Sequence, residues 1–390
     1  MIAELSSPLV VTSDIGLTAL AKEVLAASRL AVDIEASGMF AYRARVCTLQ
    51  LGWSDTSRVA IVDALSVDVS GLRAVLGDHG PVKVIHDVAF DARLLAEERI
   101  VLANVHDTAI AAQMLGRRAT GLASLLGSEL GISIDKSLQH HDWRQRPLEP
   151  AMLGYLAEDV LHLEALERKL WSELVDRGIE DAVLEETRYR LACARSAVEA
   201  PDCSPAYVRI KGFERLSEPA LAALRALAEL RDREAQRLDV PPQHILSNET
   251  LLTIARSGLA DPSAVARVRG VVASAHGAAL AKPLADAVAG AGPSVPECDR
   301  RWLERPRVPV ELAHARRSRE ARMSSWRKAE AERRCVSEQV VLPGHCLRDL
   351  VQSEVQTVED VARISGIGEF RVRRDGEAIV RALRATDDAP

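Results

Sequence analysis

The sequence predicts a mixed α/β domain followed by two small all-helical domains, and three observations lead to that architecture. Between Leu30 and His86, short apolar runs follow one another closely and then give way to patterns of helical period. Two turn-rich breaks, Glu199–Lys211 and Ala289–Arg301, divide the rest of the chain into separate helical blocks. Those blocks repeat each other at a constant offset of 96 residues. A chain of 390 residues has room for this, being roughly two to three times the usual domain size. The expected boundaries are 1–200, 212–292 and 300–388.

The apolar runs Leu30–Ala36, Val46–Trp53, Val59–Ala64 and Val82–His86 read as strands. The early ones are spaced closely enough to pair antiparallel. The last is flanked by the helical patterns Phe90–Glu98 and Asp107–Leu115, so the sheet should be mixed and covered by helices. On the first strand, Asp33 and Glu35 are two residues apart and therefore share a face. A helical pattern over Met152–Trp171 places Tyr155 and Asp159 four apart on one helix face. Asp91 opens the helix after the fourth strand. Carboxylates at the end of an apolar strand are costly to bury unpaired and invite a cation. Hard oxygen ligands without thiolate or imidazole favour magnesium or manganese over zinc, which points to phosphoryl chemistry.

In this order the residues resemble the DEDD superfamily of 3′-5′ exonucleases, which implies a ribonuclease H-like fold for the first domain. The likeness covers roughly Leu30–Trp171: Asp-x-Glu at Asp33 and Glu35, a His-x4-Asp setting from His86 to Asp91, and Tyr-x3-Asp from Tyr155 to Asp159. Gly154 stands where the histidine branch has its histidine, so the tyrosine branch is indicated. Within that branch the chain is similar to the ribonuclease D family. The shared segments are Cys47–Trp53, Val105–Leu115 and Thr120–Leu148, the last with its Asp-Lys-Ser turn and Trp143 before Arg-Pro-Leu. The loop after Glu35 is shorter than the family form, and Ile34 stands where threonine is common.

The resemblance implies a 3′-5′ exoribonuclease that releases nucleoside 5′-monophosphates with two divalent ions, Mg2+ or Mn2+. In this reading Asp33 bridges the ions. Glu35 and Asp159 complete the site on the side of the nucleophile, Asp91 serves the side of the leaving group, and Tyr155 orients the attacking water. The implied substrate is RNA with a single-stranded 3′ end, such as a transfer RNA precursor. The RNA-contact candidates are Gln50, His86, Met39, Phe40, Trp143 and Arg144. Two alternatives stand beside this reading: a DNA exonuclease of the same superfamily, and a nucleic-acid-binding protein without catalysis.

The two helical blocks share Arg231, Ala235, Val240, Leu246, Leu251 and Val265 with Arg327, Ala331, Val336, Leu342, Leu347 and Val361. Leu230–Ala255 resembles the HRDC domain, which makes the second block a diverged copy. Two features of that copy suggest contacts to phosphate. The glycine turn in Ile364–Val380 precedes Arg371, Arg373 and Arg374, and Arg300–Arg334 carries twelve Lys or Arg against five Glu. The whole chain has a net charge of -6, which argues against a uniformly basic coat but not against a local basic groove. The six cysteines lack Cys-x2-Cys spacing and read as reduced thiols. No apolar run approaches membrane-spanning length, and the start has no signal-peptide pattern. A cytoplasmic protein with no obligate protein partner is expected.

Overall fold

The structure is a computed structural model and describes residues 7–54, 58–200, 203–303 and 308–384. Pro201 and Asp202 of the expected linker, residues 304–307 of the basic stretch, and the extreme ends of the chain lie outside the described residues.

The chain divides into two units. One comprises residues 1–35, 46–201 and 308–390, and the other residues 36–45 and 202–307. The first unit is built on a six-stranded mixed sheet: β1 (Leu9–Val11), β2 (Arg29–Ala36), β3 (Val46–Trp53), β4 (Arg58–Asp63), β5 (Val82–Ile85) and β6 (Val105–Asp107). The strand order is β1-β4-β3-β2-β5-β6. β3 and β4 pair antiparallel with Gln50 opposite Ile61, while β2, β5 and β6 run parallel. β3 is buried at all eight positions, so its pattern is continuous rather than alternating.

Two short strands and the helices Asp14–Val24 and Arg73–Leu76 escaped the sequence pattern. β1 and β6 have three residues each, too few to show a period. Helix α1 (Asp14–Val24) begins at Ser13, whose side chain accepts the Gly16 N–H. Helices α2 (Ala89–Glu97) and α3 (Thr108–Met114) follow β5 and β6.

The helical pattern expected over Met152–Trp171 is two helices, α4 (Pro150–Leu161) and α5 (Leu163–Asp176), with the break at His162. The two halves meet in one cluster through Ala157, Val160 and Leu163, and beyond it each reaches a different one. Tyr155 and Leu156 of α4 pack with Cys47, Ile61 and Trp143, while Leu166, Leu170 and Leu174 of α5 join Ile110, Met114 and Leu125. Helix α6 (Glu180–Glu199) closes this part of the unit.

The remaining helices show the repeat in three dimensions. Helix α7 (Glu218–Leu238) is followed by α8 (Pro242–Ile245), α9 (Asn248–Ser257), α10 (Pro262–Ala266) and α11 (Gly277–Ala289). Helix α12 (Val310–Arg334) is followed by α13 (Glu338–Val341), α14 (Gly344–Gln352), α15 (Val358–Ala362) and α16 (Gly368–Arg384). The two long helices end alike: Asp239 (φ 48) and Cys335 (φ 53) are both left-handed, 96 residues apart.

Several cations of the basic stretch are engaged in internal structure. Arg327 pairs with Glu338, Arg333 and Arg334 with Glu330, and Arg334 also with Asp375. Arg319 donates to the Ser353 carbonyl. The glycine turn is not a phosphate site either, because the Glu185 carboxylate from α6 already accepts the Phe370 N–H at 2.7 Å. Among the described residues no disulfide joins the six cysteines, and Cys47 and Cys346 are buried. Among the described residues, no helix is long and apolar enough to cross a membrane.

Candidate active site

The alternation on β2 puts Asp33 and Glu35 on one face, and the four-residue spacing on α4 aims Tyr155 and Asp159 at it. Carboxylate oxygens of Asp33, Glu35 and Asp159 lie within 4.8 Å of one another. Asp91, buried in the first turn of α2, stands outside this triangle but within reach of its field.

No protein cation neutralises this group. Among the described residues, no Lys, Arg or His forms an ion pair with any of the four carboxylates. Their acidities register the strain. Burial lifts Asp33 to about 6, opposed by the Ile34 N–H. Glu35 rises to about 9 through burial first and then repulsion from Asp33 and Asp159. Burial and then Asp33 raise Asp159 to about 8. Asp91 is held well above the carboxylate range by burial, and after that by Asp33 and Glu35. Carboxyl groups that resist ionising together fit divalent cations, which would restore their charged forms.

Tyr155 is buried, and its phenol is pushed above its ordinary value by burial first and then by Asp159, Glu35 and Asp33. It therefore keeps its proton at any working pH and can donate a hydrogen bond but cannot act as a base.

Trp143 is 1% exposed, and its ring centroid lies 5.6 Å from that of Tyr155. That corrects the expectation that it stacks on RNA: it is a wall of the site. Its buried Nε1 has no partner in strict hydrogen-bond geometry, yet it is the side chain that draws Glu35 downward. Arg144 forks onto Asp142 at 2.9 Å, and Arg146 is held by Asp63, the Cys47 carbonyl and the Trp143 carbonyl. The Trp-Arg segment therefore holds the loop against β3 and β4.

Gln50 is likewise fully buried and donates to Thr48 Oγ1 at 2.7 Å, so it presents no surface to RNA in this structure. His86 is half-buried with Nδ1 2.9 Å from Thr108 Oγ1. Because that hydroxyl donates to the Ile85 carbonyl, it accepts from His86. Burial lowers His86 to about 4, so the ring is neutral at neutral pH. Met39 is 53% exposed, and Phe40 lies in the turn closed by its own N–H to the Ser37 carbonyl. Both belong to the second unit.

Asp107 was read only as the opening of a helix, and it does more. Fully buried, it accepts the N–H groups of Asp87, Val88, Ala109 and Ile110 at 3.2, 2.8, 2.8 and 3.0 Å. It thereby caps α3 and also holds the turn at Asp87 (φ 63) from which α2 carries Asp91. Aspartate before a helix is a legible cap, but the second grip comes from a turn twenty residues away in sequence. Asp107→Ala should cost about 3 kcal/mol in urea denaturation, since buried donors lose their acceptor. It should also weaken divalent-ion affinity in calorimetry without removing a ligand.

The 3′-5′ exonuclease family pattern matches residues 8–175, and the HRDC domain pattern matches residues 220–276 and 317–383. Ribonuclease D of Gluconacetobacter diazotrophicus is 32% identical over 268 residues, 68% of this chain and 67% of its own length. That of Escherichia coli is 31% identical over 249 residues, 63% and 65% of the two chains. The crystal structure of Escherichia coli RNase D superposes with a TM-score of 0.69 at 24% identity over 97% of this chain and 99% of that one, and so shares the fold. A Bifidobacterium adolescentis protein gives 0.76 at 22% identity over 98% of each chain. With the exonuclease and both HRDC matches in place, the chain belongs to the ribonuclease D family of 3′-5′ exoribonucleases.

Proposed function

We propose that the protein trims single-stranded 3′ tails of structured RNAs, transfer RNA precursors among them, releasing nucleoside 5′-monophosphates. The observation that carries the catalytic part is the triangle of Asp33, Glu35 and Asp159, with Asp91 beside it, all titrating above the ordinary carboxylate range and with no protein cation among the described residues. The substrate class follows from likeness: the Escherichia coli protein of this fold is described as an exoribonuclease involved in structured RNA processing.

Asp33, Glu35, Asp91 and Asp159 would hold two Mg2+ or Mn2+ ions, which supply charge for the attacking water and for the leaving 3′-oxygen. The protein's own part is positioning. Asp33 and Glu35 are fixed by the sheet, and Asp159 is brought to them by α4. Asp91 is held through the Asp107 cap. Tyr155, kept protonated and braced by Trp143, donates a hydrogen bond to the attacking water and orients it toward phosphorus. Tyr155→Phe should therefore lower the turnover rate by roughly 10²-fold, the scale for losing one preorganised donor. Divalent-ion affinity measured by calorimetry should stay the same, because the phenol holds no ion.

The test is a time course with a 5′-labelled RNA hairpin bearing a single-stranded 3′ tail, beside the matching DNA, with Mg2+, Mn2+ or chelator. A ladder shortening from the 3′ end, dependent on metal, faster on RNA and halting at the stem, is the expected result. Equal trimming of DNA would contradict the RNA assignment, and trimming through the stem would contradict the tail-limited substrate.

A further inference from the structure

The second unit contains a cavity of about 410 Å³ lined by Tyr42, Arg43, Arg209, Arg231, Pro242 and Asn248 among others. Arg231 lies on α7, is 7% exposed, and keeps its Nε buried without a hydrogen-bond partner among the described residues. Its Nη1 donates to the Leu246 carbonyl at 2.9 Å and to Asn248 Oδ1 at 2.8 Å, both neutral acceptors. Burial disfavours its charge more than the nearby Asp232 carboxylate, which forms no ion pair with it, favours it, and a buried guanidinium with an unused donor is costly unless an anion completes it.

The repeat shows what is missing. Arg327 occupies the matching position on α12, and there Nε donates to the Glu338 carbonyl at 3.1 Å and faces the Glu338 carboxylate at 3.4 Å. The residue 96 positions before Glu338 is Pro242, which starts α8 as Glu338 starts α13. In the first copy the carboxylate that would answer the buried arginine is thus a proline, and the space beside it is the cavity.

Two further cations stand at this cavity. Tyr42 donates from its hydroxyl to Asp232 Oδ2 at 2.8 Å, and its N–H reaches Asp239 Oδ1 at 3.2 Å. These bonds fasten the segment that carries Arg43 onto α7. Arg43 and Arg209 both act on the Tyr42 phenol electrostatically, and both are exposed, with no ion-pair partner among the described residues. Asp232 is the carboxylate among the lining residues, and it is engaged by Tyr42.

We propose that this cavity is a binding site for a backbone phosphate of the RNA, held by Arg231 from within and by Arg43 and Arg209 at the mouth. The proposal rests on the reading of the protein as an RNA exonuclease. A phosphate diester suits the cavity because its unesterified oxygens accept from several guanidinium groups at once while the chain continues outward on both sides.

The test uses the full chain in chelator, with a single-stranded oligouridylate as probe, comparing wild type with Pro242→Glu and with Arg43→Gln combined with Arg209→Gln. The first variant supplies from within the carboxylate that the second repeat has. The second changes only exposed side chains, so it stays informative if the first fails to fold. Each is expected to bind at least tenfold more weakly. The double variant should show a salt dependence shallower by about 0.7 in log–log slope, the value for one single-strand phosphate contact. Wild-type affinity and slope in the double variant would overturn the proposal, as would weaker binding of inorganic phosphate with unchanged binding of RNA. Wild-type shortening of the tailed hairpin, run in parallel, separates the two readings. If wild type does not shorten RNA, the enzymatic reading fails. If it does and the variants bind as wild type does, only the cavity assignment fails.

Discussion

Asp33→Asn should abolish nucleotide release, by about 10³-fold or more, while raising the melting temperature of the chelated protein. Both effects have one cause. Asp33 is the charge felt by Glu35, Asp91 and Asp159 alike, so removing it takes away the repulsion along with a ligand. The pH dependence has the same origin. These carboxyls titrate higher in the fold than their ordinary 3.8 or 4.5: Asp33 at about 6, Asp159 at about 8 and Glu35 at about 9. Folding therefore takes up protons across that range. The contribution of these carboxyls to the stability of the metal-free protein is full below about pH 4 and is lost as pH rises through those values, so the chelated protein should lose stability between pH 6 and 9. Thermal melts across pH in chelator, repeated with Mg2+, check this. Bound divalent cations should flatten the decline, and a chelated protein that gains stability from pH 6 to 9 would contradict it.

Arg371→Ala should cost about 3–5 kcal/mol, the range for breaking a buried ion pair from one side. Arg371 is fully buried, with Nη1 3.4 Å from Glu185 Oε2 and bonds to the carbonyls of Val340, Ile367, Ala182 and Gln339. Burial dominates both partners, lowering Arg371 and raising Glu185, so desolvation outweighs their attraction. The fold keeps the pair because the guanidinium also ties α16 to α6 and α13. Gly368→Ala should loosen the same seam, since at φ 76 a Cβ would meet Glu185 Oε2 at 2.0 Å. Urea denaturation and hydrogen exchange test this. Protection should fall over α13 to α16 while the sheet keeps its own, and unchanged exchange there would refute it.

The residues that were legible in the sequence are those fixed by local period. Asp33 with Glu35 and Tyr155 with Asp159 follow from spacings of two and four, and the helical repeat follows from apolar positions at one offset. Long-range partners left no such trace. The turn before Arg371 looked open to phosphate because Glu185, which occupies it, lies 185 residues away. Trp143, in a polar loop, and Gln50, at a position the family resemblance points to, looked like RNA contacts because neither setting reveals burial. The break at His162 was hidden because both halves keep a helical period. Arg231 showed only as a repeated arginine, and its meaning appeared once Pro242 was seen opposite it.

The central claim, that these four carboxylates hold two divalent ions, is tested most directly by titrating Mn2+ into the protein under electron paramagnetic resonance with a nucleoside 5′-monophosphate present. Saturation at two ions per chain in wild type, with loss of that uptake in Asp33→Asn, is the predicted result. Wild-type protein that takes up no Mn2+, or an Asp33→Asn protein that still takes up two, would contradict it.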